Sequence, residues 1–284
     1  MGTLHIVATP IGNLEDVTLR ALRVLREADW IFAEDTRRSR ILLEHFEIRQ
    51  RATSLHAHNE TSRIQRILEA LDEDRSVALI SDAGTPLVSD PGARLVAAAS
   101  AAGHRVEVVP GPSALLAAWT VAGLPGEQVL FLGFLPRKAG ARRRILEAQR
   151  GRRESFVVFE SPRRVAQTLT EIREVLGDRP ACLARELTKK HEEVLRGTVS
   201  TLAERLGDEP LRGECTLVIG GATEQEELAR RWTDLEVDQA IRERVEAGAS
   251  VRDLSTELAE YSGRSRRDLY ARAVVLRDEG SESG

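Results

Sequence analysis

Cysteine is almost absent from this chain, with two in 284 residues and no CxxC spacing between them. That excludes a disulfide scaffold and leaves no footing for a cysteine-based metal site. Cys182 and Cys215 each sit inside an apolar, strand-like run and read as buried structural thiols. Aromatic residues are scarce as well, at 4% of the chain, which argues against a groove that grips bases by stacking. No apolar run reaches the ~18 residues that span a bilayer, and no basic region leads an apolar one at the N-terminus. A cytoplasmic location is the expectation. Thr9-Pro-Ile-Gly12-Asn13 has the wrong spacing for a strand–GxGxxG–helix unit, and neither GxxxxGK before Ser or Thr nor GxSxG occurs. A Rossmann dinucleotide site, a P-loop and a nucleophile elbow are therefore unsupported. His5, His45 and His104 stand alone, and His56 and His58 lack a third ligand at metal spacing. No metal is expected.

What the chain does contain is organised around Val77–Gly92, VALISDAGTPLVSDPG. Val77-Ala-Leu-Ile80 is a short apolar run suited to a strand buried on both faces. Ser81, Asp82, Gly84, Thr85 and Pro86 end it in a polar turn, and Pro91-Gly92 restarts the chain toward a helix. Gly84 lets backbone approach a ligand closely, and Pro86 fixes the loop. In a parallel sheet such a turn lies at the carboxyl edge, where open α/β folds bind ligands. Strand patterns at 3–9, 30–33, 53–55, 77–80 and 105–109 alternate with helical ones. Thr18 is placed to cap the first helix, which carries Leu19, Leu22, Val24 and Leu25 on one side. This alternation predicts an α/β domain with a parallel sheet and right-handed crossovers.

After Gly123-Leu-Pro-Gly126, read as a linker, apolar runs at 129–134, 156–159, 181–184, 194–199 and 215–219 predict a second α/β domain with a mixed sheet. Strand signals vanish from about 223. Helical patterns there surround Tyr261-Ser-Gly-Arg-Ser265 and outline a helix-turn-helix. Arg264, Arg266 and Arg267 stand where recognition contacts would be made. The segment is nevertheless acidic, with 15 Asp+Glu against 10 Arg, so an interaction tail without a nucleic-acid role is an equal alternative. The expected domains are 1–122, 123–222 and a helical extension at 223–284.

A net charge of −4 excludes a protein coated in positive charge, but its distribution is uneven. Between Arg137 and Arg164, ten basic residues face only Glu147, Glu154 and Glu160. A local basic surface of this kind suits contact with a phosphate backbone, and a solvated helix face is the plainer reading. Polar groups also gather in the loops at strand ends: Glu34-Asp-Thr-Arg37, His58-Asn-Glu60, Pro110-Gly-Pro-Ser113, Glu160-Ser-Pro-Arg163, Arg185–Lys189 and Glu214. So many at corresponding ends suggest a polar cleft between the two domains.

These loops, with Val7-Ala-Thr-Pro-Ile-Gly-Asn-Leu14, Ser81-Asp-Ala-Gly-Thr-Pro86, Gly133-Phe-Leu-Pro136 and Ala184-Arg-Glu-Leu-Thr-Lys189, make the chain resemble the tetrapyrrole methylase superfamily. Within it the text resembles the family of 16S rRNA (cytidine-2'-O)-methyltransferases over residues 4–221. The tail is similar to that family's small helical extension. The resemblance implies S-adenosylmethionine held between the two domains and methyl transfer to the ribose of a P-site cytidine in 16S rRNA of the 30S subunit. It implies cofactor contacts from Pro10, Asp82, Gly84, Thr85, Ser113 and Ala114, and from Phe159, Ala184 and the Thr216–Leu217 backbone. It also implies a homodimer.

An activated methyl donor leaves the protein to align the 2'-oxygen and help remove its proton. Glu60, Glu34, Asp35 and Glu186 are the carboxylate candidates, with Glu60 preferred over its reading as a plain helix N-terminal carboxylate after Asn59. Arg37, Arg185 and Lys189 are expected to position phosphate or steady an oxyanion. Arg137, Lys138, Arg142, Arg143 and Arg144 are the expected RNA grip, through phosphate rather than bases. The competing readings are a corrin-pathway C-methyltransferase, which would need neither the arginine-rich segment nor the tail, and a non-catalytic RNA-binding protein on the same fold. The Ser81–Pro86 loop together with Glu214 favours a working cofactor site.

Overall fold

The computed structural model describes residues 2–56, 59–207, 211–222, 234–262 and 264–281. His58 and Gly263, from two of the expected motifs, lie outside them. The first sheet holds β1 (Thr3–Val7), β2 (Trp30–Ala33), β3 (Ala52–Ser54), β4 (Ser76–Ile80) and β5 (Arg105–Val109) in the order β3-β2-β4-β1-β5, all parallel. Side chains alternate across it because the strand period is two. Val7, Ala78 and Ile80 pack on α1 (Leu19–Glu27) and α2 (Thr36–His45) through Leu22, Leu25, Leu42 and Leu43. Leu4, Val77 and Leu79 pack on the opposite face against α3 (Glu60–Asp72) and α4 (Ala93–Ala101) through Ile67, Leu71, Leu95 and Ala99. With helices on both faces, β4 can be apolar throughout, as its sequence is. Thr18 caps α1 as expected, accepting from Ala21 N at 3.0 Å.

The second sheet is mixed, in the order β6-β7-β10-β8-β9. Its strands are β6 (Val129–Phe134), β7 (Ser155–Glu160), β8 (Pro180–Arg185), β9 (Glu193–Thr198) and β10 (Cys215–Ile219). Only β6 and β7 run parallel; the other neighbours are antiparallel. One face is covered by α6 (Ala139–Glu147), α7 (Val165–Leu176) and α8 (Val199–Leu206), with Leu146, Leu169, Ile172 and Leu202 against Phe156, Val158, Leu183 and Leu217. The other face takes α5 (Ala114–Ala122). This helix follows the last strand of the first sheet, yet Ala118 and Ala122 pack with Val157, Cys182 and Val218 of the second. Arg196 donates to the Val121 carbonyl at 2.8 Å from Nε. One helix thus joins the two sheets into a single compact unit, which comprises 1–150 and 154–221.

Among the described residues the remaining unit contains three helices, α9 (Asp234–Glu246), α10 (Val251–Ser262) and α11 (Arg266–Ser281), around Ile241, Leu254, Leu258, Leu269 and Ala273. Ser250 and Ser265 cap the last two, each hydroxyl accepting a backbone N–H three residues on at 3.1 Å. Ion pairs tie the helices: Arg264 to Asp234 at 2.7 Å, Arg244 to Glu257 at 2.9 Å, and Arg272 to Asp238. Arg264, expected at a recognition surface, is therefore engaged within its own unit, whereas Arg266 and Arg267 are exposed. Among the described residues no helix is long and apolar enough to cross a membrane.

Candidate active site

Between the two sheets of the first unit lies a cavity of about 420 Å³. Its geometry begins at the carboxyl edge of the parallel sheet. Beyond β1, Thr9 exchanges two 2.9 Å backbone hydrogen bonds with Gly84, beyond β4. The Thr9 hydroxyl donates to Ser81 O at 3.2 Å, the Ser81 hydroxyl to Gly84 O at 2.9 Å, and the Thr85 hydroxyl to Pro112 O at 3.2 Å. Three strand-end loops are thereby stitched into one surface. Gly84 sits at φ +82°, and a Cβ there would meet Ile11 Cγ2 at 3.3 Å. Because both its backbone groups are committed to Thr9, Gly84 offers the cavity its lack of a side chain rather than a free N–H.

Of the residues expected at a cofactor, Asp82, Gly84, Thr85, Ser113, Ala114, Phe159, Ala184 and Thr216 line this cavity. Pro10 and Leu217 do not. Pro10 stands between Thr9 and the lining residue Ile11, and the Leu217 side chain is buried in the core of the second sheet. Phe134 and Phe159 pack edge to face, 5.6 Å between centroids, and form an aromatic wall. Ser113 caps α5, so the first turn of that helix opens toward the cavity.

The wall is strongly acidic. Glu34, Asp82, Asp90, Glu160 and Glu214 line it, and Arg38 is the one basic residue among the described lining residues. Three of these carboxylates are engaged. Asp82 accepts the Asp35 N–H at 2.9 Å and faces Arg38 Nε at 3.7 Å. Glu214 pairs with Lys189 at 3.1 Å and with Arg38 at 3.9 Å. Arg38 therefore links the two halves of the cleft. Glu160 is turned into the protein, where Ser161 N, Arg164 and Thr168 donate to it at 2.7–2.9 Å. Burial, then the neighbouring Asp82, pushes Glu34 above the usual carboxylate range. Burial, then the charges of Glu34 and Asp82, pushes Asp90 up to about 7. The Cys215 thiol is pushed up to about 11, chiefly by burial.

The expected catalytic residues are scattered. Arg37 is 86% exposed and its guanidinium clasps Asp35, whose carboxyl it holds down at about 2. Glu186 and Lys189 form a 2.8 Å ion pair behind the wall, and Glu186 Oε1 also accepts from Glu214 N at 2.8 Å. Arg185 is occupied by Glu193 and the Arg212 carbonyl. Glu60 opens α3, is 6% exposed and does not line the cavity; its Oε1 has no hydrogen-bond partner among the described residues. The plainer reading of Glu60 as a helix N-terminal carboxylate describes its position better than the role of proton acceptor. Asp90, Arg38 and Phe134 were not singled out from the sequence. Phe134 had a signal in Gly133-Phe-Leu-Pro136, whereas Asp90 looked like one more turn residue before Pro91-Gly92.

The basic segment divides. Arg137, Lys138, Arg143 and Arg144 are exposed. Arg142 corrects the expectation: it is 3% exposed, forms a bidentate ion pair with Glu171, and donates to the Pro136 and Arg137 carbonyls at 3.1 Å. It anchors α6 to α7 and is closed to phosphate. The spacing held a clue, since Arg142 and Leu146 lie four residues apart on one face of α6 and both are buried.

Residues 3–203 match the family Tetrapyrrole (Corrin/Porphyrin) Methylases. The chain is 44% identical to ribosomal RNA small subunit methyltransferase I of Mesorhizobium japonicum, over 98% of this chain and 94% of that protein. It is 41% identical to the protein of the same name from Halalkalibacterium halodurans, over 95% and 93%. With that of Thermotoga maritima it shares 48% identity over 221 residues, 78% of this chain and 99% of the relative. Two solved structures share the fold at low identity. A uroporphyrin-III-C-methyltransferase from Thermus thermophilus has a TM-score of 0.52 at 22% identity, covering 78% of this chain and 94% of that one. A diphthine synthase has a TM-score of 0.58 at 15% identity, covering 81% and 94%.

Proposed function

The chain belongs to the tetrapyrrole methylases, and from that premise we propose that it is an S-adenosylmethionine-dependent methyltransferase acting on the ribose 2'-oxygen of a P-site cytidine in 16S rRNA. The observation that carries the reading is the charge and lining of the cavity. Asp82 and Glu214 about one arginine, beside two aromatic rings, fit a ligand that joins a sulfonium, an ammonium and a purine. S-adenosylmethionine supplies a methyl group already activated on that sulfonium. The chain's own residues have the remaining tasks. Asp82 and Glu214 attract the cationic part, the first turn of α5 receives a carboxylate, Phe134 and Phe159 give a ring its apolar seat, and Gly84 leaves room.

Arg137, Lys138, Arg143 and Arg144 give the RNA grip in this reading, by phosphate contact. The alignment with the T. maritima relative leaves that protein almost no length beyond 221 residues. That supports placing the chemistry in the α/β body and an accessory role in the helical extension. Exposed Val108 and Leu116 and the open edges of β5 and β6 provide apolar surface for the expected homodimer.

The test is methyl incorporation from labelled S-adenosylmethionine into 30S subunits that lack the modification, followed by mapping of the product nucleotide. A 2'-O-methyl group at a P-site cytidine is the expected result. Label on a base, or on no ribosomal RNA at all, refutes the assignment.

A further inference from the structure

The functional reading leaves the proton of the 2'-hydroxyl without an acceptor, and the engaged carboxylates are poor ones. Asp82 is bound by an N–H and faces Arg38, Glu214 is bound by Lys189, and Glu160 is filled by three donors. Such donors stabilise the charged form and weaken a carboxylate as a base. Two lining carboxyls remain. The loop after β4 doubles back through left-handed Leu87 and Ser89 and brings Asp90 to the cavity wall beside Glu34, at the end of β2. Among the described residues neither has an ion-pair partner; the charge of Glu34 acts on Asp90, and the Ser81 hydroxyl opposes the resulting rise.

We propose that Asp90 is the acceptor of the 2'-hydroxyl proton and that Glu34, on the same cavity wall, is the positioning residue that acts through it. The role rests on the methyl-transfer reading above. Two carboxyls whose charges act on one another resist being ionised together, and their titration is coupled. Burial and the charges of Glu34 and Asp82 leave Asp90 half-ionised near neutral pH, where a general base works best. Arg38 and His56 oppose the rise at Glu34, and Asp35 adds to it. From the second sheet, Gly133 meets Ser89 and brings no charge. In the step, the O–H proton passes to the Asp90 carboxylate as the new O–CH3 bond forms. The S–CH3 bond breaks with its electron pair kept by sulfur, which becomes a neutral thioether. The proton then leaves Asp90 for solvent.

Asp90→Asn should retain cofactor affinity by calorimetry and lose roughly 100-fold or more in single-turnover methylation. Glu34→Gln removes the charge that raises Asp90, so it should move the acid limb of the pH–rate profile to lower pH while slowing the reaction less. Without cofactor, carbon-13 spectra of aspartate-labelled protein should show one carboxyl titrating at about 7, absent in Asp90→Asn and shifted down in Glu34→Gln. Wild-type rate and an unchanged limb in Asp90→Asn overturn the role, as does the lack of any aspartate titrating near neutrality. A wild-type protein that methylates no ribosomal RNA overturns the functional reading, and this role with it.

Discussion

Thr9 and Gly84 exchange a pair of backbone hydrogen bonds, each 2.9 Å, and so lock the loop after β1 to the loop after β4. The lock depends on Gly84 holding φ +82° in front of Ile11. Gly84→Ala should destabilise the protein by ~1–3 kcal/mol, because a side chain resists that conformation. Cofactor affinity should fall at least about tenfold, since a shift of an ångström in this surface misplaces several contacts. Thermal melts and calorimetry read the two effects separately.

Asp82→Ala should weaken cofactor binding with the fold retained, because Asp82 is a central negative group of the cavity wall. Unchanged affinity by calorimetry would count against this cavity as the cofactor site.

The basic segment gives opposite outcomes at adjacent positions. Arg142→Ala leaves Glu171 half-buried without its partner and should cost ~3–5 kcal/mol of stability. Reversing exposed Arg143 and Arg144 to Glu should leave the melting temperature nearly unchanged, as surface charges do. That double variant should bind ribosomal RNA more weakly and with a shallower salt dependence, and keep its affinity for cofactor.

Asp90 makes stability depend on pH. Its carboxyl is pushed from 3.8 to about 7 in the fold, so between those values the folded chain binds more protons than the unfolded one. Stability therefore falls as pH rises through that window, by on the order of 2–4 kcal/mol for a shift of this size. Asp90→Asn should melt higher than wild type at pH 8 and equally at pH 3.5 in the absence of cofactor, by calorimetric scans at ~0.1 M salt. A lower melting temperature at pH 8 would contradict the raised value.

Cys215, pushed up to about 11, should resist alkylation in the native protein at mildly alkaline pH and react once it unfolds. Mass spectrometry of iodoacetamide-treated protein reads the difference.

The strands were legible because each is a short apolar run closed by turn residues, and all ten lie within a few residues of the sequence expectation. Their order was less so. Nothing in Val129–Phe134 announces that it pairs in parallel with β7 while β10 runs against both its neighbours. Helix α5 reads as the close of the first domain, yet its alanine face belongs to the second sheet, since small residues carry no address. At the site, local text located the loops around Asp82, Gly84 and Phe159. Counting charge could not reveal which arginine is buried. It could not show either that Asp90 returns to the cavity wall that Glu34 lines, because that placement depends on how a loop of twelve residues, Ser81–Gly92, folds over itself.

Four non-glycine residues, Leu87, Ser89, Glu186 and Thr188, hold left-handed backbone on the two loops that frame the cavity. Each such residue costs ~1 kcal/mol or more and persists only where its surroundings impose it. Selection for heat resistance alone would relax these positions first, and glycine there would lengthen the half-life of the fold while blurring the cleft. Durable variants of this protein should instead carry their changes on outer helix surfaces, such as that of Leu19, 86% exposed on α1. The stiffness that limits the molecule's tolerance to heat is the same stiffness that gives its cavity a shape.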